Sequence, residues 1–549
     1  MRVAPKAAAG LGGAVAASLL LACNAIFGIR DLRFEDPEAG GGGASSGSGG
    51  SGGAPFCEDG DSLPCYEGPT ALRGVGSCVE GAQICSDGAY GACLGSGSPS
   101  YDDCATPDDE DCDDTVLACT GDLLASRVVG GNNADGLDAV AVGTDGAVAI
   151  TGQLVNAIDF DGINVVCNPN NGITDCAYVA KLDANLDTLW ALKLGPCSTL
   201  DVSDLAVDDE GNVILVGSYM GTIDLDGQLH FGGFGLSIVV AKLAAADGSV
   251  LWSRTFDGNE DQAATTVAVA GDRIYLGGLA EAPLDLGGGE LAASNGPSPW
   301  LGVLDTMGNH VASLGLPANG TINDLAVKDG QVLAGGTLDQ ALDLTSLGGA
   351  MLPFQDAPDG FVIELEASTL GLAWAKSIAG VGDDLVDAVA LGPVGDAFAS
   401  IRTNGIVDLT GEPYVATASH DTLVARWAAD RTLLFATPIA GAQPLGHHLA
   451  VGPGGSSLLL GTYENVLTLE DTILTATAAR HAYAAKLSPS GGLVWLWSLA
   501  GSVSEGGDLW VGADDQVLLG QIFRGSVTAG ANGWSTNGSD DALLVRLAP

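Results

Sequence analysis

The chain has 549 residues, 46% of them hydrophobic and only 16% charged, so it can bury a large core. Asp and Glu number 68 against 20 Lys and Arg, and the formal charge of −48 repels nucleic acid and anionic lipid headgroups, which excludes a nucleic-acid role. Glycine, at 82 residues, concentrates in one linker and in regularly placed turns, the distribution of a turn-rich β protein.

The first segments direct and tether the chain. Arg2 and Lys6 make a short basic region, and residues 7–22 are apolar and small, too few for a comfortable membrane span. The stretch "LLAC", Leu20 to Cys23, resembles the bacterial lipobox. That resemblance implies that residues 1–22 are a signal peptide and that Cys23 becomes the lipidated first residue. Asn24, where an Asp would retain the protein in the inner membrane, points to the outer membrane or cell surface. Acyl chains contribute ~0.8 kcal/mol per buried methylene, so two or three hold a protein firmly on a bilayer. Residues 23–56 then form a linker whose core, "AGGGGASSGSGGSGGA" at 39–54, is a flexible coil. A G-x-S-x-G match at Gly43–Gly47 and a G-x-G-x-x-G match at Gly47–Gly52 lie inside it without a flanking strand or helix, and are products of low complexity.

Residues 57–120 are dense in cysteine: Cys57, Cys65, Cys78, Cys85, Cys93, Cys104, Cys112 and Cys119. With few large apolar side chains between them, they read as a disulfide framework standing in for a core, with the pairing open. The segment "YDDCATPDDEDCDD" at 101–114 resembles the Asp/Cys-rich MopE-type motif of myxobacterial surface lipoproteins, a pattern associated with copper. Clustered carboxylates suit calcium, with Asp108, Asp109, Asp111, Asp113 and Asp114 as ligands, although no Gly stands where an EF-hand loop would turn. The competing reading is a solvated acidic loop pinned by disulfides.

From 121 to 549 the sequence repeats. Ala141, Ala206, Ala268, Ala326, Ala390, Ala450 and Trp510 recur at intervals of about 60 residues. Each marks an opening strand such as "SDLAVDDEGN", followed by a β-rich run such as "VILVGSY" and a loop bearing hydrophobic-Asp-hydrophobic ("TIDLDG", "PLDLGG", "ALDLTS", "IVDLTG"). A hairpin with Trp190, Trp252, Trp374, Phe435 or Trp495 closes most units. Four strands per unit predict an all-β, seven-bladed β-propeller, with six or eight blades as alternatives, because one small sheet cannot bury both faces alone. The aromatic is expected to fill the wedge between blades. Gly152, Gly217, Gly277, Gly335, Gly461 and Gly520, with Ser400 in the fifth unit, are expected to face bulk from a neighbouring blade. The last unit lacks an outer strand, and residues 123–130 are expected to supply it and shut the ring. The units resemble bacterial β-propeller repeats of secreted proteins and the tryptophan-docking repeats of quinone-dependent dehydrogenases. Cys167 and Cys176 are expected to pair, which leaves Cys197 unmatched.

For catalysis the residues offer little. His230, His310, His420, His447, His448 and His481 show no H-E-x-x-H or comparable spacing, and adjacent His447 and His448 on a strand would point to opposite faces. The expectation is a lipid-anchored envelope propeller, not an enzyme, that binds or scaffolds an envelope protein, a glycan or a divalent cation. Two alternatives come with the resemblances: a quinone-dependent oxidoreductase and a scaffold lipoprotein of outer-membrane assembly.

Overall fold

A computed structural model describes residues 57–549 apart from 67, 71, 98, 100–103, 105–108, 111, 113–115, 117, 168–174, 196–199, 226, 259, 292–295, 357, 410, 412 and 477–479. Cys23, Cys197, Asp108, Asp111, Asp113 and Asp114 therefore lie outside the described residues, as do the signal and the linker.

Each repeat folds as four antiparallel strands. In the second unit these are Leu200–Val207, Val213–Tyr219, Ser237–Leu243 and Val250–Phe256, paired in that order. The two middle strands are buried throughout, which is why they read as unbroken apolar runs such as "VILVGSY" and "SIVVAKL". The inner strands of the other units are Ala139–Val142, Gln262–Ala270, Gly320–Lys328, Asp384–Leu391, and the later parts of the long strands Leu433–Val451 and Leu493–Val511. Each inner strand packs beside the next, and the seventh packs beside the first, so the circuit is a closed β-propeller. The apolar clusters sit between units: Val179 and Trp190 of the first join Leu215 and Val239 of the second.

The ring closes as the sequence leads one to expect. Leu123–Val129 pairs antiparallel with Asn532–Leu547, from Leu123 opposite Leu547 to Val129 opposite Ala542. The first strand of the propeller thereby becomes the outer strand of its last sheet.

The aromatic position docks each unit onto its neighbour. Trp190 Nε1 donates to the carbonyl of Ala245 at 3.0 Å, and Trp252 Nε1 to that of Thr306 at 2.9 Å, each in the outer hairpin turn of the following unit. Gly248 and Gly308 in those turns have φ of 73° and 75° and lie against the Trp rings, so a side chain there would be strained and would strike the indole. Trp374 packs on Trp427 of the next unit at 5.6 Å, Phe435 meets the Gly491 turn, and Trp495 meets Gly121.

The glycine series needs a correction. A Cβ on Gly277 or Gly335 would meet the next unit, Ile322 at 2.8 Å and Val386 at 2.5 Å respectively, and one on Gly520 would strike Leu137. Gly152 and Gly217 instead face their own unit, against the carbonyls of Gly136 and Asp201. They sit one residue further along the strand, and a slip of one reverses the face. Gly217 pairs with Val202, whereas Gly277 and Gly335 pair with Thr266 and Asp324.

The hydrophobic-Asp-hydrophobic signature is a turn device. Asp224, Asp285, Asp343 and Asp408 accept main-chain N–H groups of Gly227, Gly287, Thr345 and Gly411, while flanking Ile223, Leu225, Leu284 and Leu342 are buried. Residues 57–119 hold a three-stranded sheet and four disulfides, Cys57–Cys85, Cys65–Cys93, Cys78–Cys112 and Cys104–Cys119; Cys167 and Cys176 pair in the first unit. Lys486 Nζ reaches Cys104 Sγ at 3.1 Å and is ion-paired with Asp515, which fixes this module to the sixth and seventh units.

Candidate functional site

The seven inner strands surround a central channel with a cavity of about 520 Å³. Near its start the inner strand bulges in four successive units: the register shifts between Val202 and Asp204, Ala264 and Thr266, Ile322 and Asp324, and Val386 and Ala388. A bulge re-aims side chains, and here it delivers two polar residues to the channel in the second, third and fourth units and one, Asp387, in the fifth. Ser203, Thr265, Asn323 and Asp387 occupy the bulge positions; Asp204, Thr266, Asp324 and Asp508 come one residue later, with His448 equivalent in the sixth unit.

These side chains stitch neighbouring units together. Asp204 Oδ2 accepts the N–H of Val267 at 2.7 Å, Asp324 Oδ2 that of Val389 at 2.8 Å, and Asp508 Oδ2 that of Val140 at 2.8 Å, each in the following unit. Their other oxygens accept from Leu205, Leu325 and Leu509, all at 2.7 Å. Thr265 Oγ1 donates to the carbonyl of Ile322 at 2.6 Å and Asn323 Nδ2 to that of Val386 at 2.9 Å. Asp387 is held by Arg402 through two bonds of 2.8 and 3.1 Å. His448 Nδ1 lies 3.1 Å from Asp508 Oδ1.

Protein surrounds these groups even where a side of them opens to the channel, and that shapes their charge. Burial, then the charge of Asp508, pushes Asp204 up to about 8, while Asp324 is pushed up to about 6, chiefly by burial. Asp138 rises to about 7 through burial and Asp201 nearby, and its Oδ2 has no hydrogen-bond partner. Burial alone would lower His448, but Asp508, Asp324 and Asp204 together hold its imidazole above the usual value. The channel thus holds three carboxyls, Asp138, Asp204 and Asp324, raised towards neutral pH, beside an imidazole held above its usual value. Trp510, where the other six units carry alanine, borders the cavity and packs against the apolar cluster between the seventh and first units.

The residues singled out in sequence fall elsewhere. Trp190, Trp252, Trp374, Phe435 and Trp495 are in the wedges between units, and Asp109 is buried in the disulfide module, where its carbonyl accepts from Ser77 N at 2.8 Å. His230 and His310 bond locally to Ser253 and Ser313. Sequence reasoning weighs His448 only as one of six histidines without ligand spacing and misses Asp204, Asp324 and Asp508, although "SDLAV", "NDLAV" and "GDLWV" place an Asp two residues before three of the repeat markers.

No family model matches the chain. The regulatory protein FlaEY of Caulobacter vibrioides is 26% identical over 396 residues, which is 66% of this chain and 40% of that protein, so the chain spans well under half of its length. Among solved structures, the WD40 domain of Neurospora crassa Pan2 is 11% identical with a TM-score of 0.38, covering 76% of this chain and 90% of that one. BamB from Moraxella catarrhalis is 10% identical with a TM-score of 0.34, covering 75% and 86%. Quinohemoprotein alcohol dehydrogenase from Comamonas testosteroni is 11% identical with a TM-score of 0.37, covering 77% and 76%. Likeness at these scores is loose, and the propeller stands on the chain's own strand pairing.

Proposed function

We propose that this chain is a non-enzymatic binding module of the cell envelope, held by lipid on Cys23, whose channel takes a small organic ligand carrying positive charge. One observation supports this above the rest: Asp204, Asp324 and Asp508 project from three different units onto one level of a cavity large enough for a small molecule. Main-chain N–H groups hold each carboxylate, so the ring is preorganised for a cation. Among the described residues no group of three or more His, Cys, Asp or Glu is arranged to hold a metal ion, which favours an ammonium or guanidinium over a bare ion.

The geometry also suits a tethered receptor. The bulges lie where inner strands begin, on one face of the ring. Lys486 and Asp515, which fix the disulfide module, lie at the end of a third strand and in a turn after an inner strand, on the opposite face. The linker precedes that module in sequence, and the module sits on the face of the ring opposite the polar mouth of the channel.

The test is calorimetric titration of spermidine, arginine, glucose and calcium at fixed ionic strength, near pH 8.5, above the values to which Asp204 and Asp324 are raised. Spermidine or arginine should bind one to a chain, glucose should not, and Asp204→Asn with Asp324→Asn should weaken binding at least tenfold. Equal affinity in the variant would remove the channel from the account. A dominant calcium response indifferent to these substitutions would favour the acidic run Asp108–Asp114 instead.

A further inference from the structure

We infer that the loop "FGGFG", residues 231–235, is a docking knob for a second protein that offers an apolar pocket with a basic rim. Phe234 is 97% exposed and Phe231 67%, with Leu229 at 57% and Met220 at 51% close in sequence or pairing. Two phenylalanines in water beside each other are uncommon on a soluble surface, and such patches mark interaction sites.

The knob is held in place. In the hairpin of Thr222–Leu225 and Gln228–Phe231, alternation turns His230 inward, where its Nε2 meets Ser253 Oγ at 2.7 Å, and so turns Leu229 and Phe231 outward. Beyond it Gly232 N donates to Gly221 O at 2.6 Å, Gly233 N to Ser237 Oγ at 3.2 Å, and Leu236 N to Asp261 Oδ1 at 2.8 Å. Gly233 and Gly235 lie directly against Gly258 and Glu260, so close that a Cβ on either would collide with main chain. Phe234 stands between these two anchored glycines. An aromatic presented on a fixed backbone loses little freedom on binding.

Charge selects the occupant. Asp224, Asp257, Glu260 and Asp261 are exposed beside the knob. The two cations of residues 200–262 are already engaged: Lys242 with Asp208 at 2.7 Å, and Arg254 with the carbonyls of Gly308 and Met307. A second copy would bring the same acidic rim, and an anionic bilayer would be repelled likewise, whereas a protein with Lys or Arg around an apolar pocket is complementary. The knob and the channel mouth share one face of the ring but no residues, so each can fail alone.

The test places a photoactivatable benzoylphenylalanine at position 234 of the full chain in its own cell, with Val394, 70% exposed on a turn of the opposite face, as the control site. Position 234 should give an adduct with one other protein, and position 394 should not. That protein, purified, should bind the full chain in a salt-sensitive manner, and Phe231→Ser with Phe234→Ser should weaken binding at least tenfold without changing the melting midpoint. Adducts to lipid, to a second copy, to nothing, or equally at both positions would overturn the inference, as would undiminished binding by the double variant.

Discussion

Replacing Asp204 by Asn should change how stability depends on pH more than it changes stability itself. The Asn keeps an oxygen for the N–H of Val267 and turns an NH2 to Leu205 where the protonated carboxyl turns its OH, while removing the charge that faces Asp508, Asp324 and His448. In the folded protein the Asp204 carboxyl sits at about 8 against an ordinary value of 3.8, so the folded state binds its proton more tightly than the unfolded chain does. Stability is then fully present below the ordinary value and declines as pH rises towards 8. At about 1.36 kcal/mol per pH unit, the gap sets a ceiling of roughly 5–6 kcal/mol. Because Asp204 is only half-buried and borders the open cavity, a higher effective dielectric reduces this to about 1–3 kcal/mol. His448, held above its usual value, acts in the same direction, because its stabilisation is lost as pH rises through the folded value, but its rise rests mainly on Asp508 and Asp324, which the variant keeps. Denaturation midpoints measured from about pH 3 to pH 9 at constant ionic strength should therefore coincide below about pH 4, separate progressively as pH rises towards the folded value and run parallel beyond it, the variant being the more stable. Curves parallel over the whole range would refute the reasoning, because Asp204 would then titrate like an ordinary surface carboxyl.

Three further outcomes are expected. Deleting residues 123–130 removes the strand that pairs with Asn532–Leu547, so thermal melting should fall markedly or lose cooperativity, and an unchanged midpoint would misplace the seam. Gly335→Ala places a Cβ 2.5 and 2.6 Å from Val386 and Val389 of the next unit and should destabilise by about 1–3 kcal/mol in urea. Cys23→Ser should move the protein from the membrane pellet to the soluble fraction, and unaltered pelleting would exclude lipidation at that residue.

What could be read from the sequence was what is local and repeated. The Trp190, Trp252 and Trp495 hairpins declare themselves because a turn, a strand and an aromatic recur together, and the closing strand 123–129 because the last unit lacks an outer strand of its own. The disulfide module was legible as a class, but its pairing needed the fold. The channel was not legible: a single Asp before Leu, as at Asp204, reads as the polar start of a strand. Its meaning appears only when Asp324 and Asp508, each more than a hundred residues away, arrive at the same level. Lys181, Lys242 and Lys486 recur in "AKL" just as visibly as the tryptophans, yet only the structure shows them reaching Gly211, Asp208 and Asp515. The glycine series misled because strands alternate: Gly152 and Gly277 look equivalent in an alignment and face opposite ways.

The most direct test of the channel as a ligand site is hydrogen–deuterium exchange of the full chain with and without saturating spermidine. The amides of Val140, Val267 and Val389, which donate to the three channel carboxylates, lie on inner strands of the first, third and fifth units. Protection that rises in peptides carrying these three amides together, and not in the Asp204→Asn, Asp324→Asn variant, is the result this account requires. Protection confined to the outer strands or to the disulfide module would contradict it.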